Sequence, residues 1–365
     1  MNPDHPETGP PEFTAPDVPS DLAAALRVLL AGRTLNAAQT AVAFETIMTG
    51  RAHHAQIGAF LGLLATRVPT TEEIVGAARV MRAHVDRVEP RCDPAGIVDT
   101  AGTGGAPKTF NVSTAAAIIA AAAGATVAKH GNRSRTGRGS AEVLTQLGVN
   151  VDADRATQAR CLDEAGICFC FAIHHHPAAK HAMPVRLALG FPTIFNLLGP
   201  LTNPAGARRQ LMGVYGREFL EPIAGALAEL GVERAMVVHS DDGLDEVSIT
   251  APTTLMHVRG RNVTTERFDP ATLGLAPTTL ADLTARDLDH ATAMVRGVLD
   301  GDQRGPARDM SLVNAAVTLL VADKVESIEE GFRRAADTVD DGRAQKTLAK
   351  LVEMSNDEAR RQEGT

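Results

Sequence analysis

The sequence predicts an α/β protein in which a small N-terminal α-helical domain precedes a larger α/β domain with a mainly parallel central sheet. Four consecutive helical patterns open the folded part of the chain, with no strand pattern between them. From residue 96 onward, short apolar runs alternate with helical segments, which is typical of parallel strands joined by right-handed crossovers. A chain of 365 residues is long enough for two such domains.

The N-terminal helices are predicted from polar capping residues that precede an apolar helical period. They span Leu22–Ala31, Ala37–Met48, His54–Ala65 and Glu72–Val85. Residues 1–19 are rich in proline and acidic residues, and this composition predicts a disordered tail. The helical domain is therefore expected over residues 20–90.

The alternating pattern predicts strands at Gly96–Asp99, Ala125–Ala128, Cys168–Ala172, Leu211–Tyr215 and Ala235–His239. Helices are predicted between them at Ser113–Ala123, Ser140–Leu147, Arg155–Ala165 and Phe219–Leu230. Three further segments predict an antiparallel or mixed annex at Val247–Thr250, Thr254–Val258 and Asn262–Phe268. The remaining helices are predicted at Leu280–Leu299, Ala307–Val321, Ile328–Thr338 and Ala344–Met354.

Composition and charge disfavour several functional classes. The net charge is −8, the pI is near 5.8 and 3% of the residues are aromatic, so no nucleic-acid partner is expected. No apolar stretch is long enough to cross a bilayer and no secretory pattern opens the chain, which predicts a cytoplasmic protein without a membrane partner. Cys168 and Cys170 alternate within an apolar strand, which favours buried reduced thiols over metal ligands.

The window from Thr100 to Ala141 is the most informative part of the chain. It contains five basic residues and no carboxylate, although the protein as a whole is acidic. Two turn-rich segments, Gly102–Gly105 and Lys129–Ser134, each follow a predicted strand, where glycines allow backbone N–H groups to point at an anion. A following helix adds its positive N-terminus. The window therefore predicts a site for a small phosphorylated ligand, in preference to a nucleic-acid patch.

Six motifs in a fixed order make the chain similar to the anthranilate phosphoribosyltransferase family, from about residue 20 to the C-terminus. The motifs are Asp99–Gly105, Thr109–Thr114, Lys129–Ser134, His181–Arg186, Asn196–Pro204 and the pair Asp245-Glu246. The resemblance implies a fold of the nucleoside phosphorylase/phosphoribosyltransferase type, in which residues of about 178–205 rejoin the helical domain. Residues 91–177 and 206–365 would then form the phosphoribosyl-binding domain, and the helical domain would form a homodimer.

The reaction implied by this resemblance belongs to tryptophan biosynthesis. The phosphoribosyl group of phosphoribosyl pyrophosphate (PRPP) is transferred to the amine of anthranilate, giving N-(5-phosphoribosyl)anthranilate and pyrophosphate, with two magnesium ions per active site. An aromatic amine is neutral at pH 7, so we expect electrostatic and positioning catalysis without an acid or base residue.

The site residues carried over from the family fall into three groups. PRPP-binding residues are implied at Gly102, Gly104, Gly105, Thr109, Asn111, Val112, Ser113, Thr114, Lys129, Gly131, Asn132 and Ser140. Anthranilate-binding residues are implied at Gly102, His130, Asn132, His176 and Arg186, and metal-binding residues at Ser113, Asp245 and Glu246. Ser113 is also expected to cap its helix, and His174–His176 are expected to form a loop at the mouth of the active site.

Plainer alternatives stay open at this stage. Asn111 and Ser113 could be ordinary helix caps, Asp245 and Glu246 could be surface charge, and Arg186 could be solvated. A pyrimidine nucleoside phosphorylase is an alternative enzyme with the same architecture, although this chain matches the glycine loop of those enzymes only in part. A non-catalytic relative that binds nucleic acid or has a regulatory role is the alternative of another class.

Two loops depart from the family pattern. Ala106, Pro107 and Lys108 separate the glycine motif from Thr109, where the family has four residues that begin with Asp. The loop Ser134–Ser140 is one residue shorter than usual. Both changes make the pyrophosphate pocket more cationic, and we hypothesise that Lys108 lowers the dependence on magnesium.

Overall fold

The computed structural model describes residues 20–107, 109–134 and 137–357. The predicted tail of residues 1–19 lies outside the described residues, and so does Lys108. The hypothesis about Lys108 therefore stays a prediction.

Four helices open the described chain, and two of them have the predicted bounds. They are α1 (Ser20–Leu30), α2 (Ala37–Met48), α3 (His54–Ala65) and α4 (Thr71–Ala83). Thr70 caps α4 through a reciprocal arrangement with Glu73, whose buried carboxylate also accepts from the Leu35 N–H and pairs with Arg67. α4 crosses α2 closely at Gly76. A β-carbon there would collide with the Ala37 carbonyl, so this crossing requires glycine.

The strands of the described chain form one seven-stranded sheet in the order β3-β2-β1-β4-β5-β6-β7. Their bounds are β1 (Ile97–Thr100), β2 (Thr126–Gly131), β3 (Ile167–Phe171), β4 (Arg209–Gly213), β5 (Arg234–Ser240), β6 (Thr253–Arg259) and β7 (Asn262–Phe268). β1 to β5 pair in parallel, whereas β6 and β7 are antiparallel additions at one edge. The predicted fold class is confirmed.

Helices cover both faces of the sheet. In chain order they are α5 (Val112–Ala122), α6 (Ser140–Gln146), α7 (Arg155–Ala165), α8 (Ala172–His175), α9 (Met183–Leu189), α10 (Ile194–Leu198), α11 (Leu220–Glu229), α12 (Leu280–Leu283), α13 (Leu288–Leu299), α14 (Pro306–Val321), α15 (Ile328–Asp340) and α16 (Arg343–Ser355). One apolar core surrounds α5 and α14. A second joins the N-terminal helices to α9, α10 and α11, with the rings of Phe44 and Phe195 5.4 Å apart.

Three local predictions are wrong. Val247–Thr250 is not a strand, because the Asn314 side chain holds the backbone of Val247, and the Ser248 hydroxyl bonds to Asp242. Leu280–Leu299 is interrupted, since a new helix begins at Leu288. The Asp287 side chain caps that helix by accepting from the His290 N–H. The segment His174–His176, predicted as a loop, lies partly in the short helix α8, which ends at His175.

All four cysteines lie in the described part of the chain and are free, with 3.7 Å between the sulfur atoms of Cys168 and Cys170. Within residues 20–107, 109–134 and 137–357, no single helix is long and apolar enough to cross a membrane. Among the described helices, one bent pair, Met183–Leu189 with Ile194–Thr202, is long and apolar enough by length and composition alone.

Candidate active site

The glycine loop after β1 lies against the end of β4. The Thr103 N–H donates to the Gly213 carbonyl at 2.9 Å, and the Tyr215 N–H donates to the Thr103 hydroxyl at 3.0 Å. Gly104 and Gly105 have φ angles of 65° and 102°, which glycine adopts without strain. A β-carbon on Gly102 would lie 2.8 Å from a carboxylate oxygen of Asp245. The backbone of the loop, without side chains at its glycines, therefore lies directly against Asp245.

The N-terminus of α5 points into the same region. Asn111 occupies the N-cap position, but its side chain makes no capping bond with described residues and donates instead to the Arg138 carbonyl at 3.4 Å. Ser113 lies inside the first turn, so the expectation that Ser113 caps the helix is wrong. Its hydroxyl faces the Lys129 ammonium at 3.1 Å. Asn111 thus gives the positive end of α5 no capping bond of its own, and the Glu246 carboxylate accepts from the Ser113 N–H there.

Lys129 is a buried cation at the centre of the site. Its ammonium group donates to the Thr100 carbonyl at 3.1 Å as well as to Ser113. Burial lowers the pKa of Lys129, while the nearby carboxylates of Asp99 and Glu246 oppose that shift. Lys129 therefore places a basic group beside the first turn of α5 and the Glu246 carboxylate.

Asp245 and Glu246 form a recessed acidic pair behind the loop. Burial raises the pKa of Asp245, and burial followed by the charge of Asp245 raises the pKa of Glu246 to about 8. The N–H groups of Gly104 and Ser113 and the charge of Lys129 offset these shifts in part. Two buried carboxylates that repel each other are stabilised in their charged form by a bound cation.

The donor set fits magnesium better than a transition metal. A cavity at the carboxyl ends of the strands is lined by Gly102, Ser113, Asp245 and Glu246 among others, which offer hard oxygen ligands. The described residues contain no cluster of three His, Cys, Asp or Glu side chains that could hold a metal alone. Magnesium commonly completes such a sparse set with water and substrate phosphates.

Two histidines meet on the other side of Lys129. The Nε2 atoms of His130 and His176 are 3.3 Å apart, and the Thr202 hydroxyl lies 3.5 Å from Nε2 of His176. Burial lowers the pKa of His176 to about 4 and holds the pKa of His130 well below its ordinary value. Both rings are therefore neutral at pH 7, and they offer polar edges without charge.

Arg186 projects from α9 onto an aromatic ring. Its guanidinium carbon lies 4.8 Å from the centre of the Phe195 ring. This cation–π contact holds the planar group in one orientation, in which it can present a fork of donors to a carboxylate.

Two family models match the chain, the "Glycosyl transferase family, a/b domain" over residues 94–345 and the "Glycosyl transferase family, helical bundle domain" over residues 23–85. The anthranilate phosphoribosyltransferase of Rhodospirillum rubrum is 46% identical over 93% of this chain and 97% of its own length. That of Rubrobacter xylanophilus is 46% identical over 91% and 96%. This chain belongs to the anthranilate phosphoribosyltransferase family.

Solved structures of the same family have the same fold. The enzyme from Thermus thermophilus superposes with a TM-score of 0.85 at 34% identity, covering 91% of this chain and 99% of that one. The Saccharomyces cerevisiae enzyme in complex with PRPP and Mg gives a TM-score of 0.84 at 26% identity, with coverages of 92% and 98%. A complex of the yeast enzyme with 4-fluoroanthranilate gives 0.83 at 26% identity over 92% and 97%.

The structure places the remaining family residues around this centre in different ways. Val112 and Thr114 bury their side chains, and their N–H groups donate to the carbonyls of Phe110 at 2.9 Å and Asn111 at 3.1 Å. Asn132 is exposed, and its carbonyl accepts from the Ser140 hydroxyl at 3.4 Å. Gly131 has no room for a β-carbon beside Ser140, and the Thr109 hydroxyl bonds to the Phe110 carbonyl at 3.0 Å.

Sequence reasoning missed three residues of this family site. Asp99 is fully buried, and its carboxylate accepts from the N–H groups of Thr100 at 2.7 Å and His130 at 3.0 Å. Its position at the start of the motif Asp99–Gly105 was a usable signal. Thr202 lies within the motif Asn196–Pro204, which was a second signal, whereas Asn314 gave none because it reaches the site from a distant segment. His175 lies outside the site, since its ring bonds to the Asp86 carbonyl and Gln158.

Proposed function

We propose that this protein transfers the phosphoribosyl group of PRPP to the amine of anthranilate and releases pyrophosphate. The observation that carries the proposal is the convergence of the glycine loop, the N-terminal end of α5 and Lys129 on the Asp245-Glu246 pair. Such a site neutralises a polyanionic leaving group, which is what departure of pyrophosphate requires.

The donor end of the site would hold PRPP. We assign the diphosphate to the N–H groups of the glycine loop and of the first turn of α5, with Lys129 as a fixed charge. Asp245, Glu246 and Ser113 would hold magnesium, for which we propose two ions per site. When bound, magnesium screens the charge of the leaving pyrophosphate.

The acceptor end would hold anthranilate between His130, His176 and Arg186. Arg186 can pair with the carboxylate as a planar fork on a planar anion. The neutral histidine edges leave the amine uncharged, so its lone pair stays available for attack on the ribose carbon. The main catalytic contribution of these residues would be to hold the amine close to that carbon in the correct orientation.

The direct test follows the fluorescence of anthranilate in the presence of PRPP and magnesium. We expect the signal to decay with time and enzyme concentration, and omission of PRPP is the control. A stable signal at high enzyme concentration would refute the proposed function.

We also propose a homodimer formed through the helical domain, as the family resemblance implies. Leu30 on α1 and Val42 on α2 are 72% and 46% exposed, which leaves apolar surface on this domain uncovered in the monomer.

A further inference from the structure

A second cavity, of about 310 Å³, lies between the helical bundle and the amino-terminal ends of β4 and β5. We name it the hinge cavity. Its walls are the end of α4 with the linker after it, the crossover segment 200–207, the start of β4 and the turn before β5. None of its lining residues is among those assigned above to PRPP, anthranilate or magnesium.

Three arginines from three segments line the hinge cavity. Arg82 donates to the carbonyls of Leu201 at 2.7 Å and Leu230 at 3.3 Å, and it forms no ion pair with any described carboxylate. Burial lowers the pKa of Arg82, so its charge is desolvated without a counter-ion. Arg87, which is exposed, also makes no ion pair within the described residues.

Arg208, the third arginine, lies 3.3 Å from Glu233. Glu233 also lies 3.7 Å from Arg209, and Arg82 and Arg87 form no ion pair with any described carboxylate. A compact oxyanion would supply the missing negative charge, because guanidinium forks match carboxylate and phosphate geometry.

The wall opposite the arginines contacts the segments that support His130 and His176 in the proposed anthranilate site. Asp99 lines the cavity, and its buried carboxylate accepts from the His130 N–H and lies beside the Asn203 side chain. Asn203, also in the wall, donates to the Ala128 carbonyl at 2.7 Å. The adjacent Thr202 hydroxyl contacts His176.

We propose that the hinge cavity binds a small oxyanion, a carboxylate or a phosphate, at its arginine end. A bound anion would draw α4, the crossover segment and β4 together. Because the same crossover segment and Asp99 support His176 and His130, occupancy would change affinity at the acceptor end.

Isothermal titration calorimetry with sodium sulfate, at constant ionic strength, tests the binding. PRPP and magnesium are present in one series, so that anion positions in the active site are filled, and are absent in another. We expect saturable binding of one sulfate, weakened at least tenfold in Arg87→Gln. The matched control is Arg91→Gln, an exposed arginine four residues further along the same linker, paired with Asp163 and outside the cavity.

Sodium malonate and sodium phosphate, titrated in the same way, distinguish a carboxylate site from a phosphate site. Absence of saturable binding by all three anions, or equal binding by the Arg87 and Arg91 variants, overturns the site. This arm does not depend on the proposed function.

The coupling is tested by the KM for anthranilate at saturating PRPP, with and without the tightest-binding anion. This arm rests on the proposed function. We expect the KM to shift in the wild type and in Arg91→Gln and to stay constant in Arg87→Gln. An equal shift in all three proteins would mean that the anion acts in the active site, and it would overturn the coupling.

Discussion

Asp245 and Glu246 are the residues that we propose hold magnesium in the active site. We expect Asp245→Asn combined with Glu246→Gln to lower kcat by at least about a hundredfold at ordinary magnesium concentration, because the ions that screen pyrophosphate lose their anchor. Folding should survive, since burial opposes both charges in the free protein. Steady-state kinetics and thermal unfolding measure the two effects.

The control for this double variant is Asp241→Asn. Asp241 lies in the same segment but pairs with Arg267 at the surface, so its loss should leave kcat within about twofold. A folded double variant with near wild-type kcat would remove the acidic pair from the metal site.

His176 should make stability depend on pH. Burial lowers its pKa to about 4 from an ordinary value of 6.5, so the unfolded chain binds more protons than the folded protein between these values. The free energy of unfolding should therefore fall as the pH falls from about 6.5 to about 4, by at most about 3 kcal/mol from this residue.

Urea unfolding at several pH values measures this contribution as the difference between the wild type and His176→Gln. The partly exposed His174, whose ring bonds to Asp152, provides the variant His174→Gln, which controls for the change of residue type. An identical pH slope in His176→Gln and the wild type would contradict the prediction.

At the scale of elements, α14 fixes the acidic segment after β5. The Asn314 amide accepts from the Val247 N–H at 3.0 Å and donates to the Val247 carbonyl at 2.9 Å, directly after Glu246. We expect Asn314→Ala to cost about 1–3 kcal/mol of unfolding free energy, because buried backbone groups lose their partners. It should also weaken magnesium binding, since the carboxylates lose their fixed position.

Ser311→Ala is the matched control on the same helix, because Ser311 is buried and bonds only to the Ala307 carbonyl among the described residues. Calorimetric titration with magnesium in the presence of PRPP should show weaker binding in Asn314→Ala alone. If both variants lose stability but bind magnesium equally, Asn314 has a purely structural role.

At the scale of the whole molecule, the helical domain should form the dimer interface. We expect Leu30→Glu with Val42→Glu to convert a dimer into monomers, because burying two carboxylates between apolar helices is costly. The control is Ile173→Glu, which places one carboxylate at a 66% exposed position on α8. Sedimentation equilibrium measures the mass; a double variant that remains dimeric would place the interface elsewhere.

Much of the fold follows from local patterns in the sequence. The bounds of α2 and α3 and the edge strand β7 were predicted because capping residues and apolar periods act over a few residues. The prediction at Val247–Thr250 failed because a side chain from α14 competes for the backbone there. The single helix predicted at Leu280–Leu299 failed because the apolar period continues across Asp287, which in the structure caps a separate helix.

The sequence by itself determined the fold class, the family and the chemical types offered to a phosphorylated ligand, since these depend on residue order and spacing. Tertiary structure alone decided that Ser113 faces Lys129, that His130 meets His176 and that Asn314 holds the acidic segment. It also decided that three arginines line one cavity behind the acceptor end. These contacts join segments far apart in the chain, and the burial that shifts the pKa values of Glu246 and His176 exists only once both cores have packed.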